Sequence, residues 1–211
     1  SLISIFPKQI IKSTGERITV PDMNYILLSL LPLALVRRSL YPSLSAANGQ
    51  FMFFRREEYL AMKPHETVKA DKVEDISIAR MFKRSGLKIA CMLGDDTITC
   101  RMYRGLGEAV KGFSKNVTAF FGNSFPAAFL FWIVTSFGIL AVAGYQSGTV
   151  TAAYITAYIL TRIFISVASR QNVFFNLLYI IPLQVSMGLF ILTAFINRKF
   201  RKFEWKGRNI V

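Results

Sequence analysis

The chain has 211 residues, of which 53% are hydrophobic and 18% charged, against about 25% charged residues in an ordinary soluble domain. Its 26 Lys and Arg against 12 Asp and Glu leave a net charge of +14, a balance that in a soluble protein would point first to nucleic acid. Here the cations flank apolar segments, which fits attraction to anionic lipid headgroups and sets nucleic acid aside.

The chain opens Ser1-Leu2-Ile3 with neither an initiator Met nor a signal-like charged segment, which reads as a truncated fragment. Residues 23–36 (MNYILLSLLPLALV) are apolar, too short for a comfortable crossing and interrupted by Pro32, so a buried or interfacial helix is expected. Asn48-Gly49 punctuates the chain before a strand-like run from Gln50 to Phe54, and Arg55 to Tyr59 opens a short helix. Lys63 to Lys72 reads as a polar loop; it holds the only histidine, His65, which is expected to ligate nothing. A helix is predicted from Glu74 to Ser85, with Ile76, Ala79 and Phe82 one turn apart, ended by Gly86. Strands are predicted over Leu87 to Leu93 and Thr97 to Arg101, with Gly94-Asp95-Asp96 as the turn between them. Cys91 and Cys100 sit in these strands and are expected to be packed, chemically silent thiols.

From Arg104 to Phe121, apolar residues recur at Leu106, Val110, Phe113, Val117 and Phe120, leaving Arg104, Lys111 and Lys115 to a polar face. Residues 104–122 are therefore expected to form a basic amphipathic helix on a bilayer surface; the alternative is an ordinary helix covering a core. Three apolar stretches follow, at about 125–145, 150–168 and 173–196, and the region from Pro126 to Asn197 reads as helix embedded in a membrane. Arg162 within the second either faces a headgroup or phosphate or snorkels from near a span end. Pro182 is expected to kink the third without breaking it. Three crossings would put Arg104, Lys111 and Lys115 on the opposite side from Arg198, Lys199, Arg201, Lys202, Lys206 and Arg208, against the tendency of cations to stay inside. Either the Arg162 segment is re-entrant or interfacial, or the tail departs from that tendency.

One His and two isolated Cys cannot make a zinc cluster, and the sequence holds neither a phosphate-cradling glycine loop nor a serine nucleophile elbow. What remains is the carboxylate pair Glu74-Asp75 at a helix start, where the helix N-terminus favours the ionised form and an incoming hydroxyl proton has an acceptor. Such a pair is more often simply a cap.

The surrounding residues add to that pattern. The run from Gly49 through Gln50 to Tyr59, the segment Val73-Glu74-Asp75-Ile76-Ser77-Ile78-Ala79-Arg80, and Lys83-Arg84-Ser85-Gly86-Leu87-Lys88 resemble the Glu-Asp region of family 2 glycosyltransferases. Arg101-Met102-Tyr103-Arg104-Gly105, Gly112-Phe113-Ser114-Lys115-Asn116 and Trp205-Lys206-Gly207-Arg208 resemble the membrane-bound branch that includes hopanoid-associated and carotenoid-acid glycosyltransferases. The resemblance implies an α/β chain with membrane helices. Residues 1–103 would be the C-terminal, acceptor-side part of a GT-A (Rossmann-like) domain, 104–122 the interfacial helix, 123–197 the transmembrane anchor and 198–211 a basic tail.

It further implies inverting, non-processive hexosyl transfer from a nucleotide-sugar donor to a lipid-like acceptor hydroxyl or carboxyl. Asp75 would be the base, Glu74 would orient its loop, and Arg101, Arg104 and Gln50 would meet substrate or the diphosphate. The polymerising branch carries a Gln/Arg-x-x-Arg-Trp motif, whereas Arg104 is followed here by Gly105. A divalent ion, Mn or Mg, is implied for the full-length enzyme, with its Asp-x-Asp ligands outside this chain, because residues 1–48 read as unable to supply the donor half. Asp95-Asp96, in a turn after the base, is a poor substitute. The resemblance places the protein in a membrane of the bacterial plasma-membrane type, with its catalytic part cytoplasmic. The alternative from the residues alone is a small membrane transport or scaffold protein with a basic cytoplasmic domain.

Overall fold

The computed structural model describes residues 1–69, 71 and 73–200, together with the backbone of 204–205 and 208–209. The chain is mixed α and β, mostly helical, and divides into two compact units, one of residues 1–10 and 27–100, the other of residues 11–26 and 101–209.

The first unit is built on a strand that is not among the predicted elements. Strand β1 (Leu2–Phe6) is the centre of a three-stranded sheet, with β2 (Lys8–Gln9) directly after it. Leu2 and Ser4 are buried while Ile3 is exposed, the alternation of a pleated strand. β3 (Met52–Phe54) pairs antiparallel with β1, Leu2 opposite Phe54, and β4 (Ile89–Leu93) pairs parallel, Leu2 opposite Ile89. β2 pairs in parallel with the short β5 (Thr99–Cys100). Cys91 and Cys100 are free thiols, and burial pushes the Cys91 thiol up to about 12.

The apolar run 23–36 is not one helix but belongs to two, α2 (Pro21–Leu30) and α3 (Leu33–Arg38), parted at Leu31-Pro32 and partly exposed there, with a 3₁₀ turn at Pro42–Leu44 after them. Beyond β3 the helices follow the predicted punctuation with one addition. Between β3 and the Glu-Asp helix lie α4 (Arg56–Met62) and α5 (Pro64–Thr67). The latter interrupts the expected polar loop because Pro64 is pre-set for a first helical position. The Glu-Asp helix, α6, runs Glu74–Arg84, burying Ile78, Ala79 and Phe82. Gly86, at φ +72, takes the left-handed stop, and Leu87 N–H returns to the Phe82 carbonyl at 2.9 Å. Lys83 is buried on the same helix, its ammonium donating to the Leu44 and Tyr41 carbonyls, and burial holds its pKa below the usual lysine range.

The second unit begins with the short helix α1 (Thr14–Arg17) and the first turns of α2. The amphipathic helix, α7, is Leu106–Asn116, continued by a 3₁₀ turn at Val117–Phe121. Among the described residues three helices are long and apolar enough to cross a membrane: Phe125–Tyr145, Gly148–Ala168 and Ile180–Lys199. The first two are capped by Ser124 and Ser147, whose hydroxyls accept the Ala127 and Val150 amides at 3.3 and 3.4 Å. The third predicted stretch is two helices, Val173–Leu178 and Ile180–Lys199, jointed at Tyr179. The expected kink is thus a joint, for a physical reason. Pro182 has no amide to offer Leu178, and its ring crowds that carbonyl, so the helix restarts with Pro182 in its first turn.

The apolar side of the amphipathic helix is turned to the last long helix: Ala109, Phe113 and Val117 are buried, and the Phe113 and Phe190 rings lie 5.3 Å apart. Arg162 follows neither expectation. It is 3% exposed, inside the helical unit, with its guanidinium 3.5 Å from the centroid of the Tyr25 ring and Nη2 donating to Tyr158 Oη at 3.1 Å. The Trp205–Arg208 motif lies outside the described residues, except for the backbones of Trp205 and Arg208 in a two-strand pairing.

Close packing of the long helices gives a direct test. A Cβ on Gly188 would stand 2.5 Å from the Trp132 ring, whose Nε1 is fixed by donating to the Gln184 carbonyl at 2.8 Å. Gly188→Ala should cost about 1–3 kcal/mol in reversible unfolding in mixed micelles. Gly144→Ala, with open space at its Cβ, should change stability by less than about 0.5 kcal/mol or raise it.

Candidate active site

The loop ahead of β3 is fixed from beneath by one buried serine. Ser4 Oγ accepts the Asn48 amide at 2.8 Å and donates toward the carbonyls of Phe51 and Asn48 at 3.0 and 3.2 Å. Asn48 Oδ1 in turn accepts the Gln50 amide at 2.8 Å, closing an Asx turn. The Gly49 amide is thereby presented to Asp75, whose Oδ2 accepts it at 2.9 Å. Oδ1 accepts the Ile76 amide at 2.8 Å, so the carboxylate bridges loop and helix start.

Asp75 is half-buried. Burial raises its pKa above the usual aspartate range, the amides of Gly49 and Ile76 oppose that rise, and the neighbouring Glu74 carboxylate adds to it. The outcome is a carboxylate that accepts a proton more readily than a solvated one. Glu74 itself is exposed beside it, and Gln50 is exposed on the adjoining turn. A Cβ at Gly49 would meet Asp75 at 3.7 Å, an ordinary contact, so the loop approaches the carboxylate without requiring glycine.

The structure brings Asp75, Glu74 and the Gly49-Gln50 turn together in the first unit; Arg101 and Arg104 belong to the second. Arg101 Nη2 donates to Glu16 Oε1 at 2.7 Å, and Glu16 is fully buried. Glu16 also takes the Lys12 amide at 2.6 Å. Burial pushes the Glu16 pKa up, but the Arg101 guanidinium and the Lys12 and Ser13 hydrogen bonds outweigh it and bring it to about 2. Arg104 is exposed, its backbone amide held by Glu108 at 2.8 Å. Glu16 had a signal in the sequence, since Ser13-Thr14-Gly15-Glu16 has the spacing of a capping box.

The donor set does not suit a divalent ion. Both Asp75 oxygens already accept amides, and among the described residues there is no group of three or more His, Cys, Asp or Glu able to hold a metal. Asp95 turns inward to its own loop, Oδ1 accepting the Thr97 amide at 3.0 Å, and Asp96 pairs with Lys8. His65 meets Tyr59 Oη at 3.1 Å through Nδ1.

The Glu16 pairing predicts a pH signature. A folded pKa near 2 against an ordinary 4.5 means its contribution is complete above the unfolded pKa and is lost as pH falls toward 2. Glu16→Gln should cost about 1–3 kcal/mol at neutral pH, and the gap to wild type should close in unfolding measured from pH 5 down. No family model, curated protein or solved structure matches this chain.

Proposed function

We propose that the chain supplies the acceptor side and membrane helices of an inverting, non-processive sugar transferase of the family 2 type, acting on a lipid-like acceptor at a cytoplasmic membrane face. The observation that carries this reading is the Asp75 carboxylate, held at a helix start by the Gly49 amide with its proton affinity raised by burial. The parallel β1–β4 pairing with helices in the intervening chain is consistent with part of a GT-A-type domain.

In this reaction Asp75 removes the proton from an acceptor hydroxyl as that oxygen bonds to the anomeric carbon. The bond from that carbon to the nucleoside diphosphate breaks with inversion, and the diphosphate leaves with the electron pair. An acceptor carboxylate would need no base, so the raised proton affinity favours a hydroxyl. Glu74 raises that affinity as a neighbouring charge. Gln50, exposed on the turn, is placed to meet substrate. The Arg101 guanidinium is engaged by Glu16, which counts against its meeting a diphosphate.

A transport or scaffold role is the second reading, and buried Arg162 favours it, since charges inside membrane helices mark pathways. One assay separates the two: transfer from a radiolabelled nucleotide sugar into extractable lipid by native membranes carrying the gene with Asp75→Asn. A loss of about 10²–10⁴-fold is expected, and wild-type transfer should rise with pH through the elevated Asp75 pKa, because the base acts when deprotonated. Unchanged transfer by the variant would remove Asp75 as the base.

A further inference from the structure

Length and charge disagree about the last apolar stretch, and side-chain contacts within the second unit measure its depth. Helix α8 (Phe125–Tyr145) and helix α9 (Gly148–Ala168) run antiparallel: Tyr154 Oη lies 2.7 Å from where a Cβ on Gly138 would stand. Phe125 and Ala168 therefore mark one end of this pair, and Gln146-Ser147 the other. At about 1.5 Å per residue, each helix spans roughly the 30 Å of a hydrocarbon core.

From the Phe125 end, the chain can be followed by its partners. Asn176, on α10 (Val173–Leu178), donates to Ser166 Oγ at 2.8 Å, about 3 Å inside that end. Gln184, on α11 (Ile180–Lys199), donates to Tyr158 Oη at 2.8 Å and accepts from Ser136 Oγ at 3.0 Å. Both α8 and α9 put that point about 15 Å inside. Phe195 then packs on Phe125 and Phe129, with ring centroids 5.5 and 6.1 Å apart. The Arg198 guanidinium lies 5.4 Å from the Phe125 ring centroid. The segment has returned to the end from which it started.

We propose that residues 173–199 form a re-entrant hairpin, so that the chain crosses the membrane twice and gathers Arg170, Arg198 and Lys199 on one side as a surface for anionic lipid headgroups. Arg170, in the turn after α9, and Arg198 and Lys199, at the end of α11, are all exposed. The opposite end carries Gln146-Ser147-Gly148 and no charge. The arrangement removes the conflict with cation sidedness, since the cations ahead of α8 and after α11 then share a face. It also accounts for the joint at Tyr179 and for the polar Gln184 and Ser186 at half depth, where each finds a protein partner: Gln184 on Tyr158 and Ser136, and Ser186 on Asp22 at 2.6 Å.

The test uses the full chain with Cys91→Ser and Cys100→Ser and single cysteines at Gln146, Arg170 or Lys199, labelled by a membrane-impermeant maleimide in sealed vesicles of both orientations. Arg170→Cys and Lys199→Cys should label from one side and Gln146→Cys from the other. Labelling of Lys199→Cys from the Gln146 side would establish three crossings and overturn the hairpin. For the lipid surface, the thermal transition in nanodiscs of phosphatidylcholine is compared with that in discs containing phosphatidylglycerol. Wild type should shift upward with the anionic lipid, and the combined variant Arg170→Gln, Arg198→Gln, Lys199→Gln should lose most of that shift. An unreduced shift would overturn the headgroup surface.

Discussion

Burial of one guanidinium joins an early segment of the chain to the apolar helices of the helical unit. Moving an arginine out of water costs several kcal/mol unless other groups replace its hydration. Arg162 finds them on its own helix and on the helix Pro21–Leu30: the hydroxyl of Tyr158 at 3.1 Å on the first, the face of Tyr25 at 3.5 Å and Asp22 within electrostatic reach on the second. Because Tyr25 and Asp22 come from residues 11–26, this early segment is built into the same unit as the apolar helices that follow a hundred residues later. Asp22 extends the tie by accepting from Ser186, and Tyr158 does so by accepting from Gln184.

The same physics acts at Asp75 with the opposite consequence. There burial is partial, two amides hold the carboxylate in place, and the net effect is to raise proton affinity rather than to fix helices together. A group held in geometry but incompletely compensated is what proton transfer requires. Glu16 shows the contrasting case, where a guanidinium and several hydrogen bonds overcompensate burial and keep the carboxylate ionised. That difference separates a structural ion pair from a candidate base more clearly than residue type does.

Features set by local periodicity or length were legible in the sequence. The Glu-Asp helix, its Gly86 stop and the long apolar helices all announce themselves within one window of residues. β1 was missed because LISIF is a short run at the chain's start, and its role as the central strand depends on partners that lie 48 to 87 positions away. The environment of Arg162 was illegible for a related reason, since a lone arginine in an apolar helix does not name the residue that will cover it. Asp22, a single carboxylate ahead of the apolar run at 23–36, was the available hint. At the candidate site, the acid pair and its helix position were legible, whereas the Ser4-supported turn that presents the Gly49 amide was not, because Ser4 belongs to the missed strand.

The most direct measurement is a double-mutant cycle between Tyr25 and Arg162, using Tyr25→Leu and Arg162→Met and reading stability by reversible unfolding in mixed micelles, with Tyr25→Phe as the control that keeps the ring. If the guanidinium is held by the aromatic face, the cycle should give a coupling of about 1–2 kcal/mol, and Tyr25→Phe should retain most of it. Additive losses, with no coupling beyond about 0.3 kcal/mol, would contradict the account of how the early segment is joined to the apolar helices.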